Sequence, residues 1–239
     1  MLPSEKAQTV MVWWSIIFLL IFAVAWWGLL HMMPPPDASL TSDEVAAFYL
    51  ENGSDIRWGA MIASWVSAFM IPLAAVVAIQ MARFEKGVPA WSILAFAGGI
   101  TMSMFLVFPP ICWGVAAFTV TRAPEVTTLM HELATLTLTS TDQYYVFMWF
   151  PLAYVSIAYK GHDELSPFPR WYGWFTLWCA IAFEVGALVF HFKTGPFSWN
   201  GALVFWMPLV LFFLWLAVTY YQLLRALPLQ LAAAEAEEI

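Results

Sequence analysis

The chain has 239 residues, 62% hydrophobic and only 10% charged, with a formal net charge of -7 and a mean hydropathy of +0.76. Soluble domains carry about 25% charged residues, so this composition excludes an ordinary soluble domain. The acidic balance excludes a nucleic-acid partner, because phosphate binding needs a concentrated basic surface.

Several mostly apolar stretches of about 18 residues or more predict an all-α fold, a polytopic transmembrane bundle of six helices with short amphipathic interfacial helices on the outer side. Residues 1–239 read as a single integral membrane domain. The many Trp and Tyr fit interfacial belts as well as packing. Cys112 and Cys179 both fall inside apolar stretches without metal-binding spacing and read as buried thiols.

The first span is predicted over about 10–33. It ends at Pro34-Pro35-Pro36, which cannot continue a helix. No small-residue cleavage site follows it, so it reads as a retained span. Thr41 to Glu44 have capping-box spacing. Val45, Phe48 and Tyr49 then make a narrow apolar face before Asn52-Gly53, the expected stop. That pattern predicts a short amphipathic helix on the membrane surface.

A second span follows at about 58–81, where Gly59, Ala63 and Ser67 recur at four-residue spacing and allow close helix approach. Pro72 leaves the carbonyl near Ala68 without its helical partner, which predicts a kink. The third span, about 91–119, carries Gly98-Gly99 and Pro109-Pro110, and both pairs predict an interrupted or kinked helix.

Pro124 and Glu125 suit a helix start. On that helix Thr128, His131, Glu132, Thr135, Thr139 and Asp142 fall on one side, and Leu129, Leu133 and Leu136 on another. The alternation from Thr135 to Thr139 has strand period. An open strand cannot sit against lipid, so a helix is predicted. The fourth span, about 144–159, contains Pro151, and a polar loop follows. The fifth covers about 171–192 and closes at the turn Lys193-Thr194-Gly195-Pro196. The sixth runs from 201 to about 227, and the acidic tail beyond it is expected to be frayed or surface-bound.

Six spans put both termini on one side. Lys6, Arg83, Lys86, Lys160, Arg170 and Arg225 share that side, against Arg57, Arg122 and Lys193 on the other. The positive-inside rule then makes both termini cytoplasmic in a bacterial plasma membrane.

Glu184 lies inside the fifth span, where a carboxylate costs about 2.5–3.5 kcal/mol at the centre and marks a functional site by default. His191 follows seven residues later, about two α-helical turns, which puts both groups on one face. Ala180 and Ala187 on that face allow close helix contact, so Glu184 is expected to face protein. The orientation gathers His31, His131, Glu132, Asp142, Glu184 and His191 at the outer side and leaves His162 inside. With Thr128 and Thr135 they are candidates for a ligand pocket or a proton relay. His131, Glu132, Glu184 and His191 also have the donor chemistry of a transition-metal site. No HExxH, Walker, GxSxG or GxGxxG motif appears, and no lysine lies within a span to form a retinal-type Schiff base.

Five segments carry a resemblance: AAFYLENGSDIRWG (46–59), QMARFEKG (80–87), RAPEVTTLMHELA (122–134), FPRWYGWFTLW (168–178) and FKTGPFSWNGALVFWMPL (192–209). In this order they resemble a family of uncharacterised six-span bacterial inner-membrane proteins, over most of the chain. The resemblance implies an inner-membrane protein and an association with lipid, sterol or hydrocarbon metabolism. The acid at Glu132 fits the family pattern, whereas His131, Glu184 and His191 depart from it towards polar residues, implying a feature special to this chain.

The expected function is binding or translocation of an apolar or amphipathic small molecule through an outward-facing pocket. A metal-dependent membrane oxidoreductase or its subunit, and a structural or assembly subunit of a membrane complex, are the alternatives. Membrane lipids are expected partners, and the small-residue faces fit a homo-oligomer or a larger membrane complex.

Overall fold

Helix-forming apolar runs separated by proline and glycine give a chain in which every described element is helical. The computed structural model describes residues 4–159 and 165–237, without the side chains of Asp142, Gln143 and Glu237. Lys160, His162 and Glu238 lie outside the described residues.

Helix α1 (Ser4–Ala25) widens into a π-helical turn, Trp26–Leu30, and stops at His31, whose φ of 55° lies in the left-handed region. The stop comes before the expected one because the left-handed residue already turns the chain ahead of the prolines.

Helix α2 (Ser42–Val66) opens on the anticipated capping box. The Thr41 hydroxyl accepts the Glu44 N–H, and the Glu44 carboxylate accepts the Thr41 N–H at 2.8 Å. The expected stop at Asn52-Gly53 does not occur, and the interfacial helix and the second span are one helix. Asn52 turns its amide onto the Phe48 carbonyl (2.9 Å). At Gly53 a Cβ would come within 3.1 Å of Val120, so glycine serves close packing here and not a cap.

The kink expected from Pro72 is present as a 3-10 turn, Ser67–Phe69, in which Ala68 has a non-helical ψ of 18°. Helix α3 (Met70–Ala82) continues beyond it. The turn is stitched to two other helices. Ser15 of α1 donates to the Phe69 carbonyl at 2.6 Å and lies 2.7 Å from the Tyr220 hydroxyl.

Helix α4 (Ala90–Phe118) is capped by Glu85, whose carboxylate accepts the backbone N–H groups of Trp91 and Ser92, each at 2.9 Å. It runs unbroken through both of its suspected interruptions. Gly98 and Gly99 are instead where neighbours come closest. A Cβ on Gly98 would meet the backbone of Phe147 and Met148, and one on Gly99 would meet Ala74.

Helix α5 (Pro124–Ser140), a 3-10 turn (Thr141–Tyr145) and helix α6 (Val146–Ala158) then run back along α4. Trp113 meets Thr135, Phe105 meets Tyr144, and Gly98 meets Met148. The helical reading of the threonine stretch is thus correct. Helix α7 (Arg170–Phe183) passes into a 3-10 segment, Glu184–His191. A π turn, Ala202–Trp206, leads into α8 (Met207–Glu237), which absorbs the tail expected to be frayed. Its Ala, Leu, Gln and Glu are good helix formers, and Gln230 pins it by donating to the Leu165 carbonyl at 2.6 Å.

The start of α1 and the end of α8 sit at one end of the bundle. Gln80 donates to Gln8 (2.8 Å) and Gln230 (2.9 Å), and Lys6 lies 3.8 Å from Glu235. The opposite end carries segments 31–41, 119–123 and 192–201 and is called the cap end below. Among the described residues five helices are long and apolar enough to cross a membrane, and α6 with 13 residues is a shorter apolar helix. Much of the outer surface is apolar, with Trp27 74% and Trp65 73% exposed, while the interior is one continuous core. An apolar exterior around a packed interior is what lipid-facing helices require, and the chain is a multi-pass membrane protein in architecture.

Candidate functional site

At the cap end a cavity of about 60 Å³ opens between five helical segments. Phe22 and Trp26 come from α1 and its π turn, Leu106 from α4, and Leu138, Thr139 and Tyr145 from the end of α5 and the turn after it. Phe183 closes α7, and Val204, Phe205, Pro208, Leu209, Phe212 and Phe213 come from the last π turn and α8. Seven of these thirteen side chains are aromatic. Leu138, Leu209 and Phe213 are only half-buried and form the rim.

Every strand of chain at this cavity except α4 changes its winding there. The π turns at Trp26–Leu30 and Ala202–Trp206 and the 3-10 turn at Thr141–Tyr145 supply lining residues, and the 3-10 segment Glu184–His191 starts immediately after the lining residue Phe183. Such departures cost regular hydrogen bonds and occur where a helix is shaped around something else. In a bilayer they are tolerated where protein or a cavity surrounds them.

Above the cavity two segments lock together as a cap. Trp199 donates its indole N–H to the Pro36 carbonyl at 2.7 Å, and Asn200 donates to Asp37 at 3.3 Å. Asp37 also accepts the Ser39 N–H and hydroxyl, and these bonds hold its carboxyl below the ordinary range. Ala38, Val189, Trp199 and Val204 form a small apolar cluster under the cap, separate from the main core.

His131 lies beneath this cap. It is fully buried, with its Nδ1 2.9 Å from the Tyr49 hydroxyl and its ring edge-on to Trp199 at 5.6 Å. Its Nε2 has no hydrogen-bond partner. Burial pushes the imidazole pKa down to about 4.

The other sequence candidates disperse. Thr135 is buried and accepts the Trp113 indole N–H at 3.4 Å, while Thr128 folds back on the Pro124 carbonyl at 2.9 Å. Glu132 is half-buried. The side chain of Asp142 lies outside the described ones. His31 pairs at 3.5 Å with Asp55 on the surface.

Glu184 and His191 are both exposed, which corrects the expectation that Glu184 faces protein. Nor do the two share one face, because the winding changes. At about 3 residues per turn, seven residues displace a side chain by about 120°, whereas α-helical winding would have aligned the pair within about 20°. Among the described residues no group of three or more His, Cys, Asp or Glu side chains could hold a metal ion, so His131, Glu132, Glu184 and His191 do not assemble as a ligand set.

Trp199, Tyr49 and the α8 aromatics are the cap and cavity residues that the pattern of acids and histidines did not mark. Tyr49 and Trp199 both lie in the segments that carried the family resemblance, which was the available signal. Neither protein-family models, nor curated proteins, nor solved structures contain a match to this chain.

Proposed function

We propose that the protein is a six-crossing membrane protein that holds the apolar chain of a small molecule in the aromatic cavity at its cap end. The observation that carries this reading is the coincidence of three helical irregularities with one aromatic-lined cavity. Aromatic and aliphatic walls recognise hydrocarbon by contact area. A cavity of about 60 Å³ is smaller than the roughly 150 Å³ that admits benzene in an engineered protein core. A slender acyl or prenyl chain entering past the rim fits it better than a fused-ring body.

The sixth crossing in this reading is Thr141–Ala158. Five 3-10 residues at about 2.0 Å and thirteen α residues at about 1.5 Å give about 30 Å, the hydrocarbon thickness of a bilayer. Helix α5 then lies at the outer interface with the cap. Among the described residues Lys6, Arg83, Lys86, Arg170 and Arg225 share the end of the termini, which supports a cytoplasmic placement of that end.

The test is retention of native lipid. Wild-type protein extracted in mild detergent is expected to carry a single-chain apolar molecule by mass spectrometry, and Leu209→Trp at the rim is expected to lose it while keeping its melting temperature. Equal retention by both proteins would refute the reading.

A further inference from the structure

A chain held in the cavity has a second end, and the buried imidazole above the cavity supplies a place for it. The Tyr49 hydroxyl lies 2.9 Å from Nδ1, and in the tautomer in which it donates there the proton sits on Nε2 and the orphaned atom is an N–H donor. A buried donor without an acceptor loses its hydration and gains nothing in return, and here it is enclosed by the Trp199 ring and the cap. His131, Thr135 and Thr139 recur at four-residue spacing and share one face of α5. From His131 to Thr139 at the cavity wall is eight residues, about 12 Å of helix. Val204 lines the cavity and packs in the same small cluster as Trp199. Trp199 and Val204 therefore link the imidazole to the cavity wall, and the bond to Pro36 holds Trp199 in place.

We propose, resting on the pocket reading above, that His131 Nε2–H binds the uncharged oxygen of a single-chain amphiphile (a ketone, ester or alcohol) whose apolar chain occupies the cavity. The site opens when the Trp199 loop lifts from Pro36. Burial keeps the imidazole neutral above about pH 4, so it offers a hydrogen bond and no charge. That chemistry selects an uncharged oxygen over a carboxylate, which would bring an unpaired charge into an apolar site.

The test uses the full chain in phosphatidylcholine nanodiscs and a radiolabelled series of equal chain length: the linear alkane, its methyl ketone, its primary alcohol and its fatty acid. The ketone and alcohol are expected to bind roughly three- to ten-fold more tightly than the alkane, and the fatty acid no more tightly. His131→Phe should bring ketone and alcohol down to the alkane level and leave the alkane unchanged, whereas Leu209→Trp should weaken all four.

A second measurement does not depend on the variants folding. In nitrogen NMR of the wild-type protein, the His131 Nε2 resonance should shift with the ketone and not with the alkane. Equal ketone and alkane affinity with an unmoved Nε2 signal would leave the atom an ordered-water site only and overturn the His131 assignment, while the pocket reading stands. Tightest binding by the fatty acid would overturn the preference for an uncharged oxygen. If no member of the series binds, or Leu209→Trp changes nothing, the pocket reading falls with it.

Discussion

His131 stores a pH dependence. The unfolded chain takes up a proton near the ordinary value of 6.5, but the folded protein resists it down to about 4 because the imidazole is buried. Between those values the unfolded state binds more protons, so stability falls as pH drops through the window and is flat above it. The loss amounts to about 3 kcal/mol at the acid end. Unfolding in detergent across this range should show a slope that His131→Phe reduces, and an identical slope in both proteins would contradict the burial. Glu184 is expected to contribute little to stability. It is exposed, so Glu184→Gln should change stability in detergent by no more than about 0.5 kcal/mol, where a protein-facing carboxylate would have produced a much larger effect.

At the scale of elements, the glycines divide into those that permit contact and those that do not. Gly98→Ala places a Cβ against the backbone of α6, which cannot yield as a side chain tip can. It should cost about 1–3 kcal/mol by overpacking. Gly28→Ala, with nothing within 4 Å of its new carbon, should leave the melting temperature unchanged, and equal effects at both sites would refute the packing argument.

The same distinction explains what was legible in the sequence. The Thr41–Glu44 capping box and the kink set by Pro72 depend on neighbours a few residues away, and both are where local chemistry puts them. Gly53 and Gly98-Gly99 misled because a glycine that ends a helix and a glycine that admits a neighbour look alike until the neighbour is known. Glu184 and His191 misled for another reason. Helical periodicity fixes a shared face only while the winding stays α, and here it changes to 3-10 at Glu184 itself.

Across the whole molecule, the hydrophobic pattern located the long helices, since burial in lipid acts on each span separately. It did not reveal the cap, because the bonds from Trp199 and Asn200 to segment 31–41 join residues distant in sequence and only the assembled bundle creates them. The topology has a direct check. Ser39→Cys and Thr194→Cys sit on exposed cap-end positions and Lys86→Cys at the other end. A membrane-impermeant thiol reagent should label the first two from outside intact cells and the third only after lysis, with little background from the buried Cys112 and Cys179. Labelling of all three from outside would overturn the arrangement.

The glutamine cluster at the termini has a consequence for biosynthesis. Gln8 enters the membrane region with the first helix to be made, Gln80 follows, and Gln230, which completes their amide network, arrives with the last. Ser15 likewise meets Tyr220 only when α8 is in place. Until then the early helices carry buried-type polar groups without their final partners, which is costly next to lipid. A chain truncated before α8 lacks the Tyr220 and Gln230 partners and is expected to be degraded faster than the full chain, which pulse-chase labelling checks.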